Sequence, residues 1–176
     1  MMTIKQIMLG LSALALSASL APAAYAATDT GTLTVKTRIG AACTLKTKNA
    51  TLDFGNLTTI SDKNHDANTS ITVQCSKGQA YHIYMRPGLN PLDWNTSFER
   101  RMQSGSGLLS YFIFLDSAHT KYWLDKYWEN GLANRSVQAT GDGTDQKYPV
   151  YGVIYKAATT PQAGDYTDTV AITVEY

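Results

Sequence analysis

The sequence predicts an all-β sandwich. Three observations carry this: alternation of apolar and polar residues with a period of two, strands rich in Val, Ile, Thr and Tyr, and turn residues set between the alternating runs. No stretch longer than a turn or two shows helical spacing. The chain has 176 residues with 15 Lys and Arg against 14 Asp and Glu.

The first segment is excluded from the fold. Lys5 gives a basic start, and Ile7 to Leu20 form an apolar run ending in small residues, the pattern of a secretory signal peptide. The run is shorter than the roughly 20 apolar residues of a spanning helix. Ala24-Tyr25-Ala26 fits the small-x-small cleavage rule, so residues 1–26 are read as the signal peptide and Ala27 to Tyr176 as the exported chain. Its length suits one domain. Removal of Lys5 leaves 14 basic and 14 acidic residues, with no basic cluster longer than Arg100-Arg101. Nucleic acid and anionic membrane are therefore not indicated as partners.

Two cysteines, Cys43 and Cys75, remain after export to an oxidising compartment, and a disulfide between them is expected. In the chain-entropy account such a loop stabilises by roughly 3 to 4 kcal/mol. With two cysteines and three scattered histidines there is no metal-ligand spacing, and neither cofactor nor small-molecule substrate is implied.

Along the exported chain, Leu33, Val35 and Ile39 alternate with Thr34, Lys36 and Arg38, predicting a first strand with one apolar face. A second runs through Cys43 and Leu45. Leu52 to Leu57 reads as a short strand bent at Gly55, and Ser61 to Asn68 as a polar loop. Ile71, Val73 and Cys75 share the next strand face, Ser76 to Gln79 turn, and Tyr81, Ile83 and Met85 follow. Pro87 to Ser97 is loop-like, and Leu108 to Leu115 has the two-faced apolarity of a central covered strand. The stretch with Trp123, Tyr127 and Trp128 is either a short helix or an aromatic loop packed on one end of the sandwich. Gly141-Asp142-Gly143 turns, Tyr148 to Tyr155 resumes a strand, and Pro161 to Gly164 turns again.

The last strand alternates Val170, Ile172, Val174 and Tyr176 with polar or small residues up to the final position. An immunoglobulin-like sandwich closes with one further strand beside this one. The expectation is an incomplete immunoglobulin-like sandwich lacking its last strand, and such an apolar edge is an aggregation hazard unless something covers it.

In their order and spacing the residues of the exported chain resemble the spore coat protein U family, which includes subunits of archaic chaperone-usher pili. The marks are the alternating N-terminal strand leading to Cys43, Phe54-Gly55, Val73 to Cys75 with Gly78 and Tyr81, and Arg101-Met102. Leu109, Tyr111 and Asp116, Val150-Tyr151-Gly152, Ala163 to Tyr166 and Asp168-Thr169-Val170 with Tyr176 complete them. Departures are Trp123-Leu124 where the family often has Trp-Gly, and Val153 where it often has a basic residue.

The resemblance implies a structural, non-enzymatic pilus subunit that passes through the periplasm to the cell surface and serves adhesion and biofilm formation. Implied partners are a periplasmic chaperone, an outer-membrane usher and other copies or related subunits. It divides the exported chain into a donor-strand extension, residues 27–40, and a pilin domain, residues 41–176. The donor face is Gly31, Leu33, Val35, Thr37 and Ile39; the acceptor edge is Val170, Ile172, Val174 and Tyr176. Gly31 and Thr37 fill pockets weakly, as positions where a shallow groove demands a small residue or as frayed ends. Alternatives are a coat protein deposited without pili and a surface-binding adhesin, the latter drawing on Trp94, Trp123 and Trp128. His65, His82 and His119 are read as surface residues, and Asp165 and Asp168 as turn and surface residues.

Overall fold

The computed structural model describes residues 27–94, 98–128 and 135–176. The chain divides into two units, residues 1–38 and residues 39–176.

In the first unit, residues 27–38 form no strand and are exposed throughout. The strand expected over Leu33 to Ile39 is absent here for a physical reason: a strand exists through hydrogen bonds to a partner, and period-two apolarity supplies only a face.

In the second unit, eight strands appear among the described residues: β1 (Cys43–Leu45), β2 (His65–Cys75), β3 (Ala80–Met85), β4 (Arg100–Ser104), β5 (Gly107–Phe114), β6 (Val137–Thr140), β7 (Asp145–Ile154) and β8 (Ile172–Glu175). They form two antiparallel sheets, one ordered β1-β2-β7-β5-β4 and the other β6-β3-β8. The architecture is the expected immunoglobulin-like sandwich. Among the described residues its one helical element is the 3-10 turn Lys126–Trp128.

The longest ladder joins β2 to β7, from His65 opposite Ile154 to Gln74 opposite Asp145. This register puts Ile71 and Val73 of β2 and Val150 and Ile154 of β7 into the core, each 3% exposed or less. Tyr81, Ile83 and Met85 of β3 face them, as their spacing predicted. Pro149, which lacks an amide hydrogen, lies in β7 outside Tyr151–Val153, the stretch that β5 pairs with. Cys43 and Cys75 stand opposite each other on β1 and β2 and are bonded, closing a 32-residue separation.

Several expectations are corrected. The polar loop ends at Asn64, because β2 begins at His65 and buries Ala67. Leu52 to Leu57 is not a strand, although Leu52, Phe54 and Leu57 are half-buried against the core. The final strand covers only Ile172–Glu175, since Asp168 to Val170 cross between sheets, from Thr167 bonded to Gln103 to Ala171 bonded to Arg86. β4 and β6 were not anticipated; both are short and mixed in polarity.

Trp123 is fully buried, its indole N–H donating to the Ile83 carbonyl at 2.8 Å. The outer face of β5 is covered as expected: Phe112 and Phe114 pack against Tyr122, with ring centroids 5.8 and 4.6 Å away.

Candidate functional site

The site is a groove between residues 50–60 and residues 160–172. It consists of two cavities of about 500 and 690 Å3. Leu52, Asp53, Phe54, Met102 and Tyr166 line both, so the two are continuous. The first has an apolar floor of Ile71, Met85, Tyr111, Ile113 and Val150, between walls of Leu52 and Phe54 on one side and Val170 and Ile172 on the other. The second is more polar, with Leu57, Leu109 and Ile154 beneath Thr58, Thr59 and Gln162.

Local sequence explains each wall. Leu52-Asp53-Phe54 alternates, so both large residues turn to the core, while the Asp53 carboxylate accepts from the Gly55 N–H at 2.7 Å, and Gly55 turns with φ of 71°. On the opposite wall, the Arg86 N–H donates to the Ala171 carbonyl at 2.9 Å. Antiparallel alternation then gives the bonded positions on β8 to Thr173 and Glu175, while Ile172 and Val174 present their N–H and C=O away from β3. Among the described residues no strand pairs with β8 on that side. An apolar trough thus lies beside an unpaired strand edge.

The proposed acceptor residues divide. Val170 and Ile172 line the groove, Val174 packs against the core, and Tyr176 is 59% exposed. Of the donor residues, Leu33, Val35 and Ile39 are 83–89% exposed, and Gly31 and Thr37 are exposed as well. Sequence reasoning missed the wall residues Leu52, Phe54 and Leu57 as groove residues, although their spacing was visible.

It also missed Asp168, which is half-buried. Its carboxylate accepts from the Tyr111 hydroxyl at 2.7 Å and from the Leu89 N–H at 2.8 Å. Asp165, by contrast, is exposed as expected. The histidines are not simple surface residues: the His65 and His119 side chains are only 12% and 20% exposed, and His82 stacks on Tyr84 at 5.7 Å.

Burial, followed by the hydrogen bond to Asp168, pushes the Tyr111 hydroxyl well above its ordinary pKa of 10.0. Arg100, 1% exposed, donates to the carbonyls of Met85, Arg86 and Trp123; burial lowers its pKa to about 10, against the opposing fields of Tyr111, Asp168 and Asp125. Among the described residues no cluster of His, Cys, Asp or Glu could hold a metal ion, and no helix is long and apolar enough to cross a membrane.

The model of the Spore Coat Protein U domain matches residues 29–173, most of the chain. The chain belongs to the Spore Coat Protein U domain family. No curated protein matches it. Among solved structures, the CsuC–CsuE chaperone–tip adhesion subunit pre-assembly complex from the archaic chaperone-usher Csu pili of Acinetobacter baumannii is similar in fold. That match has 24% identity and a TM-score of 0.54, covering 78% of this chain and 40% of the other. A chaperone–tip adhesin complex of CFA/I fimbriae is 13% identical with a TM-score of 0.36, covering 76% of this chain and 40% of the other, a likeness too slight to bear on the fold. The chain thus covers 40% of the length of either solved chain.

Proposed function

We propose that this chain is a structural, non-enzymatic subunit of a secreted surface pilus, assembled by donor-strand exchange through a chaperone-usher pathway and serving adhesion and biofilm formation. The observation that carries this is the apolar groove bordered by the unpaired edge of β8. A periplasmic chaperone first covers the groove, an outer-membrane usher passes the subunit outward, and the extension of another copy or a related subunit then replaces the chaperone. Family membership and the fold shared with a complex from chaperone-usher pili support the reading.

The extension supplies what such a groove takes. Leu33, Val35 and Ile39 recur on one face, so main-chain bonds to β8 would give affinity while alternate side chains enter the trough. Burying three large aliphatics contributes on the order of 5 to 9 kcal/mol before ordering costs. Because each subunit donates from one surface and accepts on another, the contact is heterologous and does not close, giving a filament.

The test is deletion of Asp29 to Ile39. The secreted wild-type chain should form linear polymers that survive mild detergent, and the deletion should abolish them. A monomer whose thermal midpoint ignores the deletion would refute the reading.

A further inference from the structure

The far border of the groove changes sheets in mid-course. Thr167 exchanges both backbone hydrogen bonds with Gln103 of β4, at 2.9 and 3.2 Å. Four residues later Ala171 accepts from Arg86, and β8 begins its pairing with β3. Asp168, Thr169 and Val170 therefore cross from one sheet to the other without a strand ladder, and side chains must fix their position.

Asp168 provides three such ties. Oδ1 accepts from the Leu89 N–H at 2.8 Å and the adjacent Thr169 N–H at 2.7 Å, while Oδ2 accepts from the Tyr111 hydroxyl at 2.7 Å. Leu89 lies in the loop that leads from β3 of the small sheet to β4 of the large one and Tyr111 lies in β5, so one carboxylate ties the crossing to that connecting loop and to the large sheet. Gly88 leaves it room: with φ of 87°, a Cβ there would sit 2.1 Å from Oδ2. The charge has a counterpart in the buried Arg100 guanidinium.

We propose that Asp168 is a positioning residue for strand entry, fixing the sheet crossing so that the pocket between Val170 and Phe54 and the free backbone groups of Ile172 and Val174 stand ready before a donor arrives. This rests on the donor-strand reading of the groove. Preorganising one edge removes an ordering cost that would otherwise fall on association. All the groups on Asp168 are donors, so a carboxylate satisfies them and an amide, with one acceptor oxygen and an NH2, does not.

The experiment follows capture of a fluorescent peptide of residues 29–39, in excess, by the secreted chain deleted of residues 29–39, whose groove no other copy can fill, alongside thermal unfolding of each variant made in that chain. Asp168→Asn and Gly88→Ala should each slow capture by about tenfold or more. Tyr148→Phe, which removes a hydroxyl contact with Tyr81 outside the groove, lowers the midpoint but should capture at the rate of the parent deletion chain. Capture by Asp168→Asn at that parent rate, or equal slowing in Tyr148→Phe at a matched midpoint, would overturn the proposal. A deletion chain with Asp168 and Gly88 intact that captures no peptide would sink the reading of residues 29–39 as the strand that fills this groove, and the proposal with it.

Discussion

Gly152 shows how finely single residues shape the groove. It faces inward from β7 beneath the wall, and a Cβ there would approach Leu52 Cδ2 to 2.5 Å and Phe54 Cζ to 3.0 Å. Both neighbours are ends of flexible side chains, so Gly152→Ala should fold but push the wall residues into the trough. Overpacking of this kind costs about 1 to 3 kcal/mol, and the expected result is a lower denaturant midpoint together with weaker capture of the 29–39 peptide. A second residue-scale consequence concerns alkaline pH. Tyr111 is fully protonated in both states below its ordinary pKa of 10.0; above it the unfolded tyrosine ionises first, and stability falls until the raised folded value is passed. One such group contributes up to about 1.4 kcal/mol per pH unit. Tyr81, raised by burial and by its bond to Tyr148, acts with the same sign. Arg100 acts oppositely, because its folded pKa of about 10 lies below the ordinary 12.5 and the folded state releases that proton first. Tyr111→Phe should therefore be less stable at pH 8 but lose stability less steeply between pH 10 and 11, as measured by urea unfolding across that range.

Among the elements, the sequence made legible those whose apolar face is simple. β3 and the core half of β2 follow from period-two spacing, β5 from apolarity on both faces and β7 from the strand residues after the Gly141–Gly143 turn, while Cys43 and Cys75 identified the β1–β2 pair from residue type and compartment alone. The remainder depended on partners that a sequence does not display. β4 contains Arg100 and Arg101, whose guanidinium groups donate to backbone carbonyls of Met85, Arg86 and Trp123 and of Asn90 and Pro91, Arg100 Nη1 finding no partner among the described residues, so its polar residues gave no strand signal. The aromatic stretch is fixed by the buried Trp123 and by two ion pairs, Arg86–Asp125 at 3.0 Å and Lys126–Glu175 at 2.6 Å. Alternation showed the shared apolar face of Val170 and Ile172, which line the groove, whereas Asp168 looked like a turn residue because its donors Tyr111 and Leu89 lie far away in sequence. The disulfide belongs to this scale, since it ties β1 to β2 where only three residue pairs join them. Cys43→Ser with Cys75→Ser should lower stability by about 3 to 4 kcal/mol, read from chemical denaturation of the oxidised wild type and the double variant.

For the whole molecule, the governing fact is a sandwich whose smaller sheet presents β8 as an open edge among the described residues. If the missing partner is the segment carrying Leu33, Val35 and Ile39, supplying that segment from within the same chain should convert a polymer-forming subunit into a closed monomer. Residues 29–39 can be removed from the N-terminus and appended after Tyr176 through about 14 Gly/Ser residues, a linker that when extended reaches far enough for either strand direction. The reference is the chain with 29–39 simply deleted, which has the same body and an empty groove. A net gain of about 3 kcal/mol from the tethered strand would raise the thermal midpoint by roughly 10 °C, since a ligand bound only to the folded state stabilises by mass action. Size-exclusion chromatography should show a single monomeric species. If the rearranged chain melts with the deletion variant, the segment does not occupy the groove in either direction, and the open edge of β8 must be covered by a strand of different sequence.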